Sequence, residues 1–401
     1  MGAGRRLLLA AVCGVAVACL YAAQPVLEPM GRELGVPAGL VGWIVATGQV
    51  GYLAGLVLLV PLGDVADRRW LIAAHLALTS VGMALTASAQ VAWAAFAGLA
   101  VAGVFAVVVQ TTVAYAASVS APGERGRNIG VVTSGVVVGI LGGRVLAGWL
   151  AEVWGWRSVY AALAVLALGL AALVLAVLPA EERAERPAGY GRVIASLGGL
   201  FRERLFLTRG LIAFFLFASF GTLWSGMALP LAAAPWHLSE AQIGLFGIAG
   251  LAGALGAARA GLWADSGRAI PVTGLALALL VASWAAIAQL PWSLWPLAAG
   301  VVLLDFAVQA AHVSNQHLLT SAHPERTSSV IGGYMVFYSL GSALGAAATT
   351  VVFASAGWAG SSLLGAGFAL CALAVWAIDR RRPAHGGRHA DPAPIAHGRL
   401  S

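Results

Sequence analysis

One acidic side chain, Asp305, lies in the middle of a long apolar run and is followed by polar residues at helical spacing. A charged side chain in hydrocarbon costs roughly 2.5–3.5 kcal/mol on insertion scales, so Asp305 needs a physical reason. Gln309, His312 and Gln316 follow it at i+4, i+7 and i+11, which places all of them on one helical face. The carboxylate could exchange a proton or pair with a cationic group, and His312 could relay the proton.

Polar and aromatic residues on other apolar runs could join this stripe in lining a cavity. Tyr21 and Gln24 lie three residues apart on the first run, where the ring of Pro25 opens the backbone hydrogen-bond ladder. Aromatic side chains suit an amphipathic compound, although at helical spacing they also serve plain packing. The alternative for the whole set is a buried network that only docks helices together. The candidate cavity residues are Tyr21, Gln24, Gln110, Trp224, Gln309, Asn315, Gln316 and Tyr338.

Arg144 is a mid-span arginine on the fifth apolar run. It could pair with Glu28 or Glu152, or it could contact an anionic substrate. We favour pairing with a carboxylate over contact with a substrate, because Glu152 lies towards the same exterior end.

A short charged loop separates the second and third runs and is copied weakly about half a chain later. Two carboxylates and two guanidinium groups stand between apolar runs, a pattern that suggests a protein built from two related halves. The candidate conformational-gate residues are Gly63, Asp64, Asp67, Arg68 and Arg69, with Asp265 and Arg268 in the copy.

Composition restricts the class of protein. The chain has 401 residues, of which 60% are hydrophobic and 10% charged, whereas a soluble domain carries about 25% charged residues. One soluble core of this size could not bury so much apolar surface. The sequence therefore predicts an integral membrane protein.

Apolar runs long enough to cross a bilayer as helices occur in two sets of six. They fall at 7–27, 40–61, 70–89, 92–117, 129–151 and 158–178, and then at 207–230, 241–263, 270–289, 294–318, 328–353 and 359–378. The prediction is an all-α fold with twelve transmembrane helices. We divide the chain into an N-terminal bundle (1–178), a linker with a surface amphipathic helix or a solvated one (179–206), a C-terminal bundle (207–378) and a disordered tail (379–401).

Arginine supplies the topology. With the N-terminus in the cytoplasm, most arginines fall in cytoplasmic segments, as the positive-inside rule requires. The net charge of +7 is explained by this topology, so we expect no nucleic-acid partner. Both termini are predicted to be cytoplasmic.

The charged loop and its copy resemble a motif of the major facilitator superfamily, over essentially the whole chain. The carrying residues are Gly63, Asp67, Arg68 and Arg69, with Gly261, Asp265 and Arg268 in the copy. The glycine-rich fifth helix (135–148) looks like the motif of the exporter branches. Two further stretches, 21–25 and 312–316, are similar to a bacterial subfamily that includes sugar and drug exporters.

The resemblance implies two pseudo-symmetric six-helix bundles with a cavity between helices 1, 4, 7 and 10. It also implies that Asp67 meets the N-terminus of helix 11, where unpaired amides favour a carboxylate. The arginine that the superfamily often carries in the middle of helix 4 is absent, because that segment reads Phe96-Ala97-Gly98-Leu99. We therefore base proton coupling on Asp305.

The function predicted is secondary active export of a small amphipathic compound by alternating access, with proton antiport. The alternatives are facilitative or cation-coupled uptake, and a non-transporting membrane sensor or scaffold. No phosphate loop, metal cluster or nucleophile–base pair stands out, so we expect no enzyme, cofactor or metal. The expected partners are a small-molecule substrate, protons and the lipid bilayer, with the protein a monomer in a bacterial inner membrane.

Overall fold

The computed structural model describes residues 1–64, 66–121, 124–179, 198–256, 268–323 and 327–381. The first set of helices comprises α1 (Ala3–Glu33), α2 (Ala38–Leu58), α3 (Arg68–Ser88), α4 (Ala92–Ser118), α5 (Arg125–Trp154) and α6 (Trp156–Val177). The second begins with α7 (Arg204–Ala232), α8 (Glu240–Leu255), α9 (Ala269–Ile287) and α10 (Leu294–Ala322). It ends with α11 (327–356) and α12 (358–381), which together form the segment Thr327–Arg381.

Gly357 separates α11 from α12. Its backbone has φ 61° and ψ −160°, a conformation that L side chains rarely adopt and glycine adopts at little cost. The chain therefore turns here without a loop, and each of the predicted apolar runs corresponds to its own helix.

The described residues form an all-α membrane protein without β-strands. Ten of the described helical segments are long and apolar enough to cross a membrane, with α11 and α12 counted as one, and α8 is a shorter apolar helix. This confirms the predicted fold class and is consistent with twelve crossings.

Helix α1 is interrupted where the sequence predicts. Regular α-helix ends at Tyr21, a 3₁₀ turn spans Gln24–Val26, and α-helix resumes over Leu27–Glu33. Pro25 explains the interruption, because it has no N–H to donate to the preceding turn. Gln24 is therefore held at a break in the helix.

The two ends of the bundle are distinguished by their contacts. We call the end with both described termini the terminal face; there the Met1 amino group pairs with Glu124 at 3.1 Å and Arg204 pairs with Asp379 at 3.0 Å. The opposite end is the distal face. Between the halves, α2 packs on α11 and α5 packs on α8.

Glycines allow the halves to approach closely at the distal face. A Cβ at Gly42 would overlap the carbonyl oxygen of Ala346 on α11, and one at Gly148 would overlap that of Glu240 on α8. Only a residue without a side chain lets the backbones meet at these distances.

Some predicted boundaries differ from the structure or fall outside it. Helix α12 runs to Arg381, so Asp379 belongs to a helix rather than to the tail predicted to begin there. The predicted linker helix falls mainly in residues 180–197, and Asp265 falls in residues 257–267; both stretches lie outside the described residues.

Candidate substrate and coupling site between the two halves

Residues from both halves meet at one depth in the bundle. Arg144 lies about 15 Å from the distal end of α5, and Asp305 lies about 17 Å from the distal end of α10, at 1.5 Å per residue. Gln24 on α1 and Trp224 on α7 complete the group, which we call the Arg144–Asp305 cluster. The cluster therefore combines one charge of each sign, contributed by different halves.

Arg144 is held by a neutral amide and by aromatic rings. Its side chain is 1% exposed, and its Nε donates to Gln24 Oε1 at 2.7 Å. The guanidinium carbon lies 3.7 Å from the centroid of the Trp224 ring, with Tyr21 and Phe220 at 5.3 and 5.5 Å. Stacking occupies the face of the guanidinium and leaves its in-plane N–H donors free. Nη1 and Nη2 have no hydrogen-bond partner among the described residues.

Asp305 is equally enclosed. It is 4% exposed, and its Oδ1 accepts from Trp224 Nε1 at 3.4 Å. Its Oδ2 has no hydrogen-bond partner among the described residues and lies against α8, where a Cβ at Gly250 would come within 2.6 Å. Burial of a carboxylate without a hydrogen-bonded cation is costly. Trp224 touches both charges, and Arg144 attracts Asp305 electrostatically.

The predicted pairing of Arg144 with Glu152 or Glu28 is wrong. Glu28 pairs with Arg32 at 3.1 Å, and Glu152 accepts a backbone N–H of α8 at the distal face. Glu152 is about two turns, or roughly 12 Å, from Arg144 along α5, beyond the reach of a guanidinium.

A pair of tyrosines lies beside the cluster and joins the halves. The hydroxyls of Tyr21 on α1 and Tyr338 on α11 are hydrogen-bonded to each other. The Phe217 ring lies 4.0 Å from that of Tyr338, and the Phe220 ring lies 6.3 Å from that of Tyr21. The predicted cavity residues Tyr21 and Tyr338 therefore meet at the interface between the halves, with two phenylalanine rings of α7 packed beside them.

His312 belongs to a separate hydrogen-bonded group nearer the terminal face. Its Nδ1 lies 3.1 Å from the Tyr334 hydroxyl, and its Nε2 lies 3.2 Å from Gln316 Nε2. Asp305 and His312 share a helical face but are about two turns apart, so neither bonds to the other directly. A proton relay between them needs an intermediary.

The stripe on α10 becomes more accessible towards the terminal face. Asp305 is buried, whereas Gln309, His312 and Gln316 are half-buried. Two other predicted cavity residues lie apart from the cluster. Gln110 donates to the Tyr52 hydroxyl at 2.8 Å, and Asn315 is fully buried within reach of Tyr334.

Family comparison agrees with this architecture. The family model of the Major Facilitator Superfamily matches residues 7–321 and, in a second match, residues 210–399. The chain belongs to the Major Facilitator Superfamily. It is a multi-pass membrane transporter of that superfamily.

Named relatives cover most of this superfamily member. YgaY, an uncharacterized transporter of Escherichia coli O157:H7, is 40% identical over 370 residues, covering 92% of this chain and 94% of the relative. The probable transporter SCO4007 of Streptomyces coelicolor is 32% identical over 369 residues, covering 90% and 84%. The fold is similar to that of a bacterial homologue of the human lysosomal transporter Spinster, crystallised in an inward-facing and occupied conformation. That match has a TM-score of 0.76 at 16% identity and covers 94% of this chain and 96% of the other.

The motif that carries the superfamily resemblance lies at the terminal face of this transporter. Asp67 caps α3, with its Oδ1 accepting from the Arg69 N–H at 2.9 Å. Arg69 in turn donates to the Leu175 carbonyl near the end of α6. The residues just before α11 lie outside the described residues, so the contact of Asp67 with that helix stays a prediction. Of the remaining gate residues, Gly63 and Asp64 lie in a 3₁₀ turn, Arg68 begins α3, and Arg268 is exposed at the start of α9.

Sequence reasoning missed a set of contacts at the distal face, which we call the distal latch. Glu152 on α5 accepts from Ser239 Oγ at 2.5 Å and from the Ala241 N–H at 3.2 Å. Gly42 N–H donates to Thr350 Oγ1 at 3.2 Å. The sequence could have predicted where α8 begins, since Ser239 and Gln242 form a capping box at its start. The latch joins the halves at both α5–α8 and α2–α11.

Proposed function

We propose that this transporter is a secondary active exporter that exchanges protons for a small amphipathic compound by alternating access. The observation that carries the proposal is the Asp305 carboxylate, which is buried between the halves with one oxygen lacking a hydrogen-bond partner. Ionisable groups inside a membrane domain mark ion or substrate pathways by default. A proton and a cationic group of the substrate would compete for the same carboxylate, and such competition produces antiport.

The arrangement of the halves supports alternating access about this site. The distal latch holds the halves together on one side of the cluster. On the other side, the polar stripe of α10 is half-exposed towards the terminal face. Rocking of one half against the other would break the latch and open the cluster to the distal face.

The distribution of arginine supports a topology in which the terminal face is cytoplasmic. We accordingly place the protein in a bacterial inner membrane as a monomer, with the more accessible end of the stripe facing the cytoplasm. Fluorescent protein fused after residue 401 should fluoresce in cells, whereas alkaline phosphatase at the same position should be inactive. Active phosphatase would place the C-terminus outside the cytoplasm, and it would contradict both the proposed orientation and the proposed direction of transport.

The test of the coupling group uses purified protein in proteoliposomes with an imposed pH gradient. The probe is the compound that most raises the melting temperature in a thermal-shift screen of antibiotics, sugars and dyes. Asp305→Asn should abolish proton-driven movement of that compound, since an amide cannot exchange a proton at neutral pH. Glu28→Gln is the matched control, because it removes a carboxylate at the bundle end, and it should retain transport.

Other outcomes separate the alternative functions. Unchanged proton-driven efflux in Asp305→Asn would overturn the assignment of the coupling group. A pH jump that moves the compound in neither direction would favour a facilitator. If no compound that binds is transported, a sensor or scaffold would be favoured.

A further inference from the structure

The Arg144–Asp305 cluster presents complementary unpaired groups to one location. Arg144 Nη1 and Nη2 and Asp305 Oδ2 lack hydrogen-bond partners among the described residues, and both side chains are at least nine-tenths buried. Buried polar groups without partners are rare, because each loses its hydration without compensation. Unpaired buried atoms occur elsewhere among the described residues, for example at Gln49 and Arg209, but only some of them carry charge. What favours a ligand here is that unpaired donors and an unpaired acceptor of opposite charge come from the two halves and lie at one interface, where one compound could supply both an acceptor and a donor.

We propose that the substrate is a zwitterion, with a carboxylate that binds Arg144 and an ammonium group that binds Asp305. This inference rests on the proposed function and names the substrate class of the same site. Apolar parts of the compound pack against the rings of Tyr21, Phe220 and Trp224.

The geometry of Arg144 favours a carboxylate. Gln24 Oε1 fixes the Nε of the guanidinium, and the Trp224 ring fixes its plane. The two Nη groups that remain form a planar fork, which matches the two oxygens of a carboxylate. A cationic group would leave those donors unpaired, and a neutral oxygen would accept from them without compensating the charge of the guanidinium.

Charge balance favours a positive group on the same compound. Arg144 and Asp305 together carry no net charge, so a singly charged ligand would leave one buried charge uncompensated. A zwitterion pairs with both and adds no net charge to the interior. It also preserves antiport, because its ammonium group competes with a proton for Asp305. A simple anion on Arg144 would offer no such competition.

The cluster is closed in this conformation. The cavity beside Gln24, Arg144 and Trp224 has a volume of about 10 Å³, close to the space that one water molecule needs. Binding of a zwitterion therefore requires the halves to separate at the cluster, which links occupancy to the transport motion.

The experiment measures binding of matched probes to the full-length protein by isothermal titration at neutral pH. The probes are aromatic amino acids and aromatic dipeptides, each as the zwitterion, the methyl ester and the N-acetyl derivative. The ester is cationic and the N-acetyl compound anionic, with the apolar part unchanged. For at least one parent compound, the zwitterion should bind at least tenfold more tightly than its own methyl ester and its own N-acetyl derivative.

Variants assign each charge to its residue. Arg144→Gln should remove the preference over the ester, and Asp305→Asn should remove the preference over the N-acetyl compound. Arg144→Lys keeps the charge but not the fork, so it should weaken zwitterion binding about tenfold while preserving ester binding. Arg157→Gln is the control, because Arg157 also stacks on a tryptophan, Trp156, but at the distal face; it should keep both preferences.

The outcomes distinguish this inference from the proposed function. Equal affinity for ester and zwitterion in the wild type, or binding of no zwitterion by folded protein, would overturn the inference. Proton-driven efflux restricted to neutral or singly charged compounds would overturn it as well, with the proposed function intact. Tight zwitterion binding without any proton-driven flux would support the inference and remove the proposed function.

Discussion

Arg144 and Arg209 are both buried arginines, and their surroundings are opposite in kind. They are 1% and 3% exposed. Arg209 Nη2 donates to Asp379 Oδ2 at 2.9 Å, and Arg204 binds the other oxygen of that carboxylate at 3.0 Å. Nε and Nη1 of Arg209 have no hydrogen-bond partner among the described residues, so the two arginines differ in whether a carboxylate binds them and not in whether every donor is used. Arg144 has a neutral amide and aromatic rings as contacts, and its nearby carboxylate, Asp305, does not bond to it.

The difference follows from where the partners lie. Arg209 and Asp379 belong to the C-terminal half, so their ion pair survives any rigid-body motion of that half. Arg144 and Asp305 belong to different halves, and a permanent ion pair between them would resist the separation that alternating access requires. A separated pair across the interface is therefore compatible with the proposed motion, whereas a hydrogen-bonded pair inside one half stabilises the fold.

The largest expected effect is the loss of the hydrogen-bonded ion pair between Arg209 and Asp379. Asp379→Asn leaves Arg209 buried without a counter-charge, and removal of one partner from a buried pair destabilises by about 3–5 kcal/mol. The measurement is the free energy of unfolding in mixed detergent micelles. Arg204→Gln is the control, because Arg204 is exposed and its pair should contribute less than about 1 kcal/mol. Equal losses in the two variants would contradict the comparison.

The second effect concerns the separated pair of Arg144 and Asp305, and it should appear in transport rather than in stability. Arg144→Gln should slow efflux at least tenfold, equivalent to about 1.4 kcal/mol in the barrier. The free energy of unfolding should change by less than about 1 kcal/mol, since the lost bond to Gln24 and the lost stacking on Trp224 are offset by removal of a buried charge that no carboxylate binds. Proteoliposome flux and micelle unfolding are compared on the same preparation. A loss of stability as large as that of Asp379→Asn would make Arg144 a structural residue.

The distal latch should have a smaller effect on the balance between conformations. Glu152→Gln removes a carboxylate from the N-terminus of α8, where such a charge contributes about 0.3–1 kcal/mol. Spin labels at Trp93 and Trp292, exposed on opposite halves near the distal face, report the opening in a variant with Cys371→Ala. The population with a long label distance should rise up to about fivefold. No change in the distance distribution would remove Glu152 from the latch.

The smallest expected effect is at the terminal face. Asp67→Asn should slow turnover a few-fold while leaving substrate affinity nearly unchanged. Asparagine caps a helix about as well as aspartate, so this variant tests the charge and not the cap of α3. Flux and binding are measured in parallel, and a matching loss of binding would contradict a role confined to the gate.

The fold followed from the sequence because the bilayer leaves few options. A helix must carry about 20 apolar residues to cross hydrocarbon, so the runs themselves outline the helices. Periodicity also placed Asp305 and Gln309 on one face correctly. The same periodicity separates Asp305 from His312 by about two turns, or roughly 10 Å, so sharing a face did not bring the two side chains into contact.

The contacts of Arg144 could not be obtained in the same way. Gln24 and Asp305 lie far from Arg144 in the chain, and their meeting depends on how α5 rotates against α1, α7 and α10. The sequence shows that a buried arginine needs partners but not which ones. Proximity along one helix suggested Glu152 as the partner of Arg144. In the structure, packing of the helices places Arg144 against Gln24 and Trp224 instead.

The hydrogen bond between Tyr21 and Tyr338 has a kinetic consequence. A hydrogen bond of this kind contributes about 0.5–1.5 kcal/mol, only one to three times thermal energy, so it opens and re-forms spontaneously. The rings around it are bulkier and slower to rearrange. On the proposed function, the rate of passage between the terminal face and the Arg144–Asp305 cluster would depend on the aromatic rings rather than on a strong bond. The shape of a compound would then set how fast it enters, and its charges would set how long it stays.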